Sequence, residues 1–193
     1  MNSTDPRAVK TRRALLEAFM QISYSKDFEQ IKIKDITDAA EVNRATFYTH
    51  FLDKYHLMDE AVTLFLIDEV RSKWQQHASL TVESMTDIFM TLAHFQQQSN
   101  QQLRLKPVRT YELIQSHMER KLKAELQSIL VQLLAQQQPE MEQERQHIIA
   151  TMLSWSLYGA SLEWQNQQKL SATAYIEQAL PFLIDGLLYH RAE

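Results

Sequence analysis

A run of seven residues beginning at Asn43, Asn-Arg-Ala-Thr-Phe-Tyr-Thr, has side chains that can contact the edges of DNA bases. Asn43 is a suitable N-cap, because its side-chain oxygen can accept hydrogen bonds from the free amides of a first helical turn. Arg44 can bind guanine O6 and N7 in bidentate fashion, and Ala45 is small enough to contact a thymine methyl group. Thr46 and Thr49 can bond to base edges or to phosphates. The run therefore predicts a short helix that enters the DNA major groove.

The apolar residues near this run predict how the helix is held. Phe47 and Phe51 share one face of a helix that begins after Asn43, opposite the small polar side chains. Asp53 predicts the N-cap of the next helix, and Leu52 and Leu57 flank that cap at the spacing of a hydrophobic staple. We therefore expect a reading helix that is buried on its aromatic side and closely followed by a second capped helix.

Basic and hydroxyl groups near the run predict contacts with the DNA backbone. Residues 1–54 contain nine Lys and Arg against eight Asp and Glu, whereas the remainder contains eleven against sixteen. Tyr48 and His50 flank the outward face and are expected to contact phosphates, with Lys32 and Lys34 as further phosphate candidates. The alternative for these side chains is an ordinary solvated surface.

Composition sets the fold class and excludes several functions. The chain has 193 residues with 45% hydrophobic content, two Gly, four Pro and no Cys, which favours an all-α protein. The absence of Cys excludes disulfides and thiolate sites. No apolar run approaches the ~20 residues of a membrane span, so we expect a soluble, cytoplasmic protein with no membrane association. No acidic pair, Ser/His/Asp order or metal-ligand spacing is present, so neither an enzyme nor a cofactor or metal site is expected.

The two glycines, Gly159 and Gly186, fall in the last two predicted helices. Glycine inside a helix costs up to ~1 kcal/mol relative to alanine, and close approach of another helix would be a reason for it. An incidental surface glycine is the alternative. We expect these helices to form a four-helix bundle between two subunits, so that the partner of the chain is a second copy. The predicted dimer-interface residues are Met152, Trp155, Gly159, Leu162, Leu180, Leu183 and Leu187.

The stretch from residue 10 to residue 60 resembles the DNA-binding domain of TetR-family transcriptional regulators. The resemblance rests on the gapless sequence DITDAAEVNRATFYTHFLDKYHL. It implies an N-terminal three-helix helix-turn-helix domain at 1–53 and a larger helical domain at 54–193 that dimerises and binds a small inducer, with about nine helices in all. It also implies a homodimeric repressor that binds a near-palindromic operator in double-stranded DNA. Lys54 is similar to the phosphate anchor of the family.

Two positions depart from the family pattern. Glu41 stands in the turn where the family commonly has glycine, so a positive φ there would strain the backbone. Lys32 stands where many members begin the second helix with threonine. Lysine cannot accept the first-turn amides, although Asp35 can complement the helix dipole.

The effector of such a regulator is the least defined part of the prediction. The resemblance implies a pocket in the second domain, and seven aromatic and Met residues are candidates to line it, although ordinary core positions are the alternative. The candidates are Phe65, Phe89, Phe95, Tyr111, Met118, Trp155 and Tyr158. A second hypothesis is a helical interaction module that keeps its DNA-binding head but is switched by a partner protein. The acidic body and the Gln-rich tract at 96–102, expected to be a loop or a frayed helix end, are compatible with it.

Overall fold

The computed structural model describes residues 5–103, 105–167 and 169–187, with side chains except those of 102, 103 and 184–187. The described residues are helical and contain no strand, which confirms the all-α prediction. The α-helices are α1 (Pro6–Ile22), α2 (Ile33–Ala39), α3 (Arg44–His50), α4 (Lys54–Val62), α5 (Asp68–Trp74), α6 (Val82–Leu103), α7 (Val108–Gln137), α8 (Gln143–Gln167) and α9 (Ala172–Leu187). A 3₁₀ helix spans Phe28–Gln30, and a π-helical turn, Thr63–Ile67, joins α4 to α5 without a break. If α4, the π-helical turn and α5 are counted as one helix, the described residues form eight separate α-helices. No helix within these ranges is long and apolar enough to cross a membrane.

The chain folds into two compact units. The first unit comprises Met1–Asp68 and Asn100–Glu119, and the second comprises Glu69–Ser99 and Arg120–Glu193. The three divisions between the units fall inside helices, at the start of α5, within α6 and within α7.

The core of the first unit is a cluster of aromatic and aliphatic side chains. Phe19, Ile36, Phe47 and Phe51 are each at most 1% exposed, which joins α1, α2 and α3 in one small core. Phe28 is equally buried and meets Phe19 edge to face at a centroid distance of 6.1 Å. So small a core is marginal by itself, because little apolar area is buried.

The segment at the start of α7 supports this core by hydrogen bonds. The Phe28 amide donates to Thr110 Oγ1 at 2.7 Å. Lys106 is 5% exposed, and its ammonium donates to Ser23 Oγ at 2.6 Å and lies 3.5 Å from the centroid of Tyr24. Burial lowers the pKa of Lys106 to about 8. The first unit is therefore held together by contacts between residues more than 80 positions apart in sequence.

The π-helical turn between α4 and α5 follows from the spacing of the buried side chains. The buried residues Met58, Val62, Leu66, Val70 and Trp74 recur every four positions. In a regular α-helix each such step drifts about 40° around the axis, because four residues turn through about 400°. A π-helical turn has more residues per turn and absorbs part of this drift. The turn thus keeps successive apolar residues buried along a continuous helix.

The second unit has a polar seam that joins α6 to α8. Gln96 is 2% exposed and lies 2.9 Å from the hydroxyl of Ser161, and Gln165 Nε2 donates to the Ala93 carbonyl at 2.9 Å. The Gln-rich tract is therefore part of α6, which extends to Leu103, and the prediction of a loop or frayed end was wrong. The carbonyl oxygen of the Gln96 side chain thus has a partner on α8, whereas its buried Nε2 has none among the described residues.

Candidate nucleic-acid interface

The structure confirms the cap at the start of α3. Asn43 Oδ1 accepts from the Thr46 amide at 2.8 Å and from the Thr46 hydroxyl at 3.0 Å. Phe47 and Phe51 point into the core, so the opposite side of α3 faces outward. These contacts fix both the first residue of the helix and its rotation about its axis.

The turn before α3 contains the strained residue that the sequence indicated. Glu41 has φ 55°, in the left-handed region where a side chain is disfavoured. The amide of Val42 then donates to the Thr37 carbonyl at 3.0 Å, which closes the end of α2. The departure from glycine therefore leaves the turn geometry in place but strains its backbone.

The start of α2 is capped by an aspartate in place of the missing threonine. Asp35 Oδ2 accepts from the Lys32 amide at 2.8 Å and from Lys26 Nζ at 2.6 Å. The hydrogen bond from Lys26, followed by the one from the Lys32 amide, holds the pKa of Asp35 below its usual value. The side chains of Lys32 and Lys34 are exposed, as a phosphate contact would require.

The outward face of α3 brings most of the predicted DNA-contacting residues together. Arg44, Ala45, Tyr48 and Thr49 are exposed. Arg44 Nη2 donates to the Tyr48 hydroxyl at 3.3 Å, and the guanidinium carbon lies 5.6 Å from the Tyr48 ring centroid. Thr49 Oγ1 donates to the carbonyl of Thr46, which is half-buried. We call the surface formed by Arg44, Ala45, Tyr48 and Thr49 the α3 face. It is largely polar, and buried aromatic side chains support the helix from the other side.

Lys54 has partners that sequence reasoning missed. Its side chain is 18% exposed, and Nζ donates to the carbonyls of Phe28 at 2.9 Å, Glu29 at 3.2 Å and Ile31 at 3.3 Å. An ammonium has three protons, so these carbonyls use all of its donors. The arrangement makes Lys54 a clamp on the end of the 3₁₀ helix and does not support its predicted role as a phosphate anchor.

The cap of α4 is confirmed, but its predicted staple was wrong. Asp53 Oδ1 accepts from the His56 amide at 2.8 Å. Leu52 is 79% exposed and therefore does not pack on Leu57, which is fully buried. His56 Nδ1 accepts from the Leu52 amide at 3.2 Å, so an imidazole closes this turn instead of an apolar contact.

A second exposed surface lies on α8. Ile148, Met152 and Trp155 are 54%, 49% and 61% exposed, and Gly159 continues the same face. A Cβ built at Gly159 would have open space around it, so packing within this subunit does not require glycine there. We call this stripe, which ends at the half-buried Leu162, the α8 face.

Three of the predicted interface residues on α9 have different outcomes. Leu180 is 2% exposed, so it belongs to the core of its own subunit and its assignment to a dimer interface was wrong. Leu183 is half-buried, and the side chain of Leu187 lies outside the described residues. Phe182, 81% exposed, follows Pro181 and lies off the stripe that helical spacing indicated.

The seven candidate effector contacts divide between the two units. Phe65, Tyr111 and Met118 lie in the first unit, and the second unit contains Phe89, Phe95, Trp155 and Tyr158. Neither unit therefore contains all seven. Trp155 is on the exposed α8 face, with Lys123 Nζ 3.8 Å from its ring centroid, which corrects its prediction as a pocket residue. The other six remain predictions.

Comparisons with known proteins agree with this geometry. Residues 15–61 match the model of the bacterial regulatory proteins of the tetR family. Over 59 residues the chain is 41% identical to YxbF of Bacillus subtilis (strain 168), an uncharacterised HTH-type transcriptional regulator. That match covers 30% of this chain and spans only 16% of the relative's length.

Solved structures share the fold over nearly the whole chain. The TetR-family repressor FadR of Thermus thermophilus, in complex with lauroyl-CoA, covers 94% of this chain and 97% of its own, with a TM-score of 0.55 and 19% identity. The dihydroxyacetone kinase operon activator DhaS covers 92% and 96%, with a TM-score of 0.51 and 16% identity. The TetR-family repressor AlkX of Dietzia sp. strain DQ12-45-1b covers 88% and 96%, with a TM-score of 0.52 and 15% identity.

The capped α3, the turn before it and the matched segment define a helix-turn-helix protein. More narrowly, residues 15–61 are similar to the segment that defines the bacterial regulatory proteins of the tetR family.

Proposed function

We propose that the protein is a sequence-specific DNA-binding transcriptional regulator that inserts the α3 face into the major groove. The observation that carries this proposal is the outward position of Arg44, Tyr48 and Thr49 on a helix whose other side is buried by two phenylalanines. Arg44 would read a guanine, and Ala45 would contact a thymine methyl. Thr46 and Thr49 would contact base edges or phosphates. The residues that would contact phosphates are Tyr48, His50, Lys32 and Lys34.

The α8 face supports a homodimer as the form that binds DNA. One side of α8 is buried by residues such as Leu153 and Leu157, while Met152 and Trp155 are exposed on the other. A helix that is apolar on both sides is stable in water when a second apolar surface covers it. Two copies joined here would present two α3 helices to a near-palindromic operator, whose half-sites lie about 34 Å apart in successive major grooves.

The division of labour is also part of the proposal. We assign DNA reading to residues 1–53, and dimerisation and regulation to residues 54–193. The bond from the Phe28 amide to Thr110 ties a part of the second segment to the reading domain. Movement at the start of α7 would therefore reach the support of α3 through Phe28 and Lys54.

A small molecule is the proposed switch, and the protein is proposed to act as a cytoplasmic repressor without enzymatic activity. FadR of Thermus thermophilus binds lauroyl-CoA, so acyl-CoA thioesters are the first compounds to test. A purified dimer that keeps its DNA affinity in the presence of every compound tested would favour a partner protein as the switch.

Selection of bound duplexes from random DNA tests the core of the proposal. Wild-type protein should enrich an inverted repeat whose two half-sites are separated by about one helical turn. Arg44→Ala should enrich a repeat with one less defined position, whereas Arg145→Ala, at an exposed arginine of α8, should enrich the same repeat as wild type. Enrichment of no sequence by the wild-type protein would refute the proposed function.

A further inference from the structure

The guanidinium of Arg12 joins three helices at the end of α3. Nη1 donates to the carbonyl of His50 at 3.2 Å, and Nη2 lies 2.9 Å from Glu60 Oε2. The guanidinium carbon also lies 4.6 Å from the ring centroid of Phe51. One side chain of α1 therefore contacts the last residue of α3, the residue after it, and a carboxylate on α4.

The position of this contact matters because α3 is only seven residues long. The last carbonyls of a helix lack partners within the helix, and a positive charge there also complements the helix dipole. Asn43 fixes the first turn, and Arg12 supplies the matching constraint at His50. Burial, and then the charge of Arg12, lower the pKa of His50.

A titratable group, the His56 imidazole, lies beside the same carboxylate. His56 Nε2 lies 3.7 Å from Glu60 Oε1, while its Nδ1 accepts from the Leu52 amide. Glu60 thus links Arg12 to the imidazole that closes the turn between α3 and α4. The arrangement connects both ends of that turn to α1.

These contacts separate Arg12 from its basic neighbours on α1. The side chain of Arg12 is 34% exposed and both of its Nη atoms have partners within the unit. Arg13, by contrast, is 67% exposed and pairs with Glu17 one turn along the same helix, at 2.8 Å. Arg12 is therefore poorly placed to contact a phosphate.

We propose that Arg12 is a positioning residue that sets the orientation of the reading helix by bridging the His50 carbonyl to Glu60. The inference rests on the proposed DNA-binding function, because it concerns the surface that would read bases. A lysine would keep the charge but lacks the planar fork that engages a carbonyl and a carboxylate together.

Substitution of Glu60 should change DNA affinity in the direction opposite to that expected from charge alone. If electrostatics alone governed binding, Glu60→Gln would strengthen DNA affinity, because it removes a negative charge near the reading helix. If Arg12 and Glu60 position α3, the same change weakens binding to the preferred duplex. Removing either partner should then remove most of the effect of the other, so the double variant should resemble each single variant.

The test compares this pair with the Arg13–Glu17 pair as a matched control. Affinities of Arg12→Gln, Arg12→Lys, Glu60→Gln, Arg13→Gln and Glu17→Gln are measured over a range of salt concentrations. The probes are the duplex selected by the wild-type protein and a shuffled duplex of the same composition. Arg12→Gln, Arg12→Lys and Glu60→Gln should each lower the preference for the selected duplex by about tenfold, with an unchanged salt slope. The two control variants should keep the wild-type preference.

A different result would identify a phosphate contact. In that case Arg12→Gln would weaken binding to both duplexes alike and reduce the salt slope by about one, and Arg12→Lys would bind like wild type. Tighter binding by Glu60→Gln would also overturn the proposal.

Amide hydrogen exchange measured without DNA tests the positioning role of Arg12 independently of DNA binding. Arg12→Gln and Glu60→Gln should exchange faster in residues 47–51, with α1 unchanged, whereas the control variants should leave α3 at wild-type rates. Faster exchange together with no DNA selected by the wild-type protein would refute the proposed function and leave the positioning role intact. Unchanged exchange in both variants would overturn the positioning role.

Discussion

The α3 face and the α8 face are both exposed, but the first is largely polar and the second is apolar. The α3 face presents Arg44, Tyr48 and Thr49 on a seven-residue helix. The α8 face presents Ile148, Met152 and Trp155 on a helix of 25 residues. Exposed polar groups suit a hydrated surface such as a DNA groove, whereas a stripe of large apolar side chains suits another protein surface. The same chain is therefore expected to meet two chemically different partners at separate places.

The largest expected effect is on the α8 face. Trp155→Asp places a charge in the middle of the apolar stripe and should raise the dissociation constant of the dimer by ~100-fold or more. Sedimentation equilibrium measures the change in mass. Gln132→Asp, at an exposed position of α7, is the matched control and should leave the dimer intact. If Trp155→Asp dimerised like wild type, α8 would not be the interface.

The next largest effect is on the reading of bases by the α3 face. Arg44→Ala should cost about 2 kcal/mol on the preferred duplex, because it removes a bidentate contact to guanine. Its affinity for shuffled DNA should fall much less, as fluorescence anisotropy with both duplexes would show. Tyr48→Phe keeps the ring beside Arg44 and should have the smaller effect. Equal losses on both duplexes would make Arg44 a phosphate contact.

Loss of the helix caps distinguishes stability from DNA reading. Asn43→Ala should lower the free energy of unfolding by about 1 kcal/mol, because Thr46 loses its acceptor. Ser171→Ala removes the corresponding cap of α9, where the Ala174 amide bonds to Ser171 Oγ at 3.2 Å, and should cost a similar amount. Urea unfolding measures both losses. DNA affinity should fall for Asn43→Ala alone, and a fall for both would show that general stability controls binding.

The smallest effect has the opposite sign. Glu41→Gly should raise the free energy of unfolding by ~0.5 kcal/mol, because glycine adopts φ 55° without strain, although it loses more chain entropy on folding. Ala40→Gly, at φ −85°, has no strain to relieve and should be destabilising. Destabilisation by Glu41→Gly would mean that the Glu41 side chain contributes more than its backbone strain costs.

The reading region could be predicted well from the sequence because its structure depends on neighbours in the chain. Asn43 and Asp53 cap helices through amides three residues away, and Phe47 and Phe51 define a buried side by helical spacing alone. Glu41 could be singled out because one backbone conformation was required at its position.

Contacts between distant residues account for what the sequence did not reveal. Nothing near Lys54 in sequence indicates that it clamps carbonyls 23–26 residues earlier. Likewise, the helical state of the tract around Gln96 depends on Ser161, 65 residues away. Leu180 and Phe182 are both apolar residues of α9, and their different exposure is decided by packing rather than by type.

The π-helical turn at Thr63–Ile67 has a consequence for how the chain tolerates changes in length. Such a turn is equivalent to a one-residue insertion in a regular helix, so deletion of one residue there would restore the α-helical ladder. The five residues of the turn cover about the same rotation as four residues of a regular α-helix, so Val70 and Trp74 would keep their buried positions. A one-residue deletion should therefore be tolerated at this turn. The same deletion in the middle of α8 would rotate the rest of that helix by about 100° and expose its buried side.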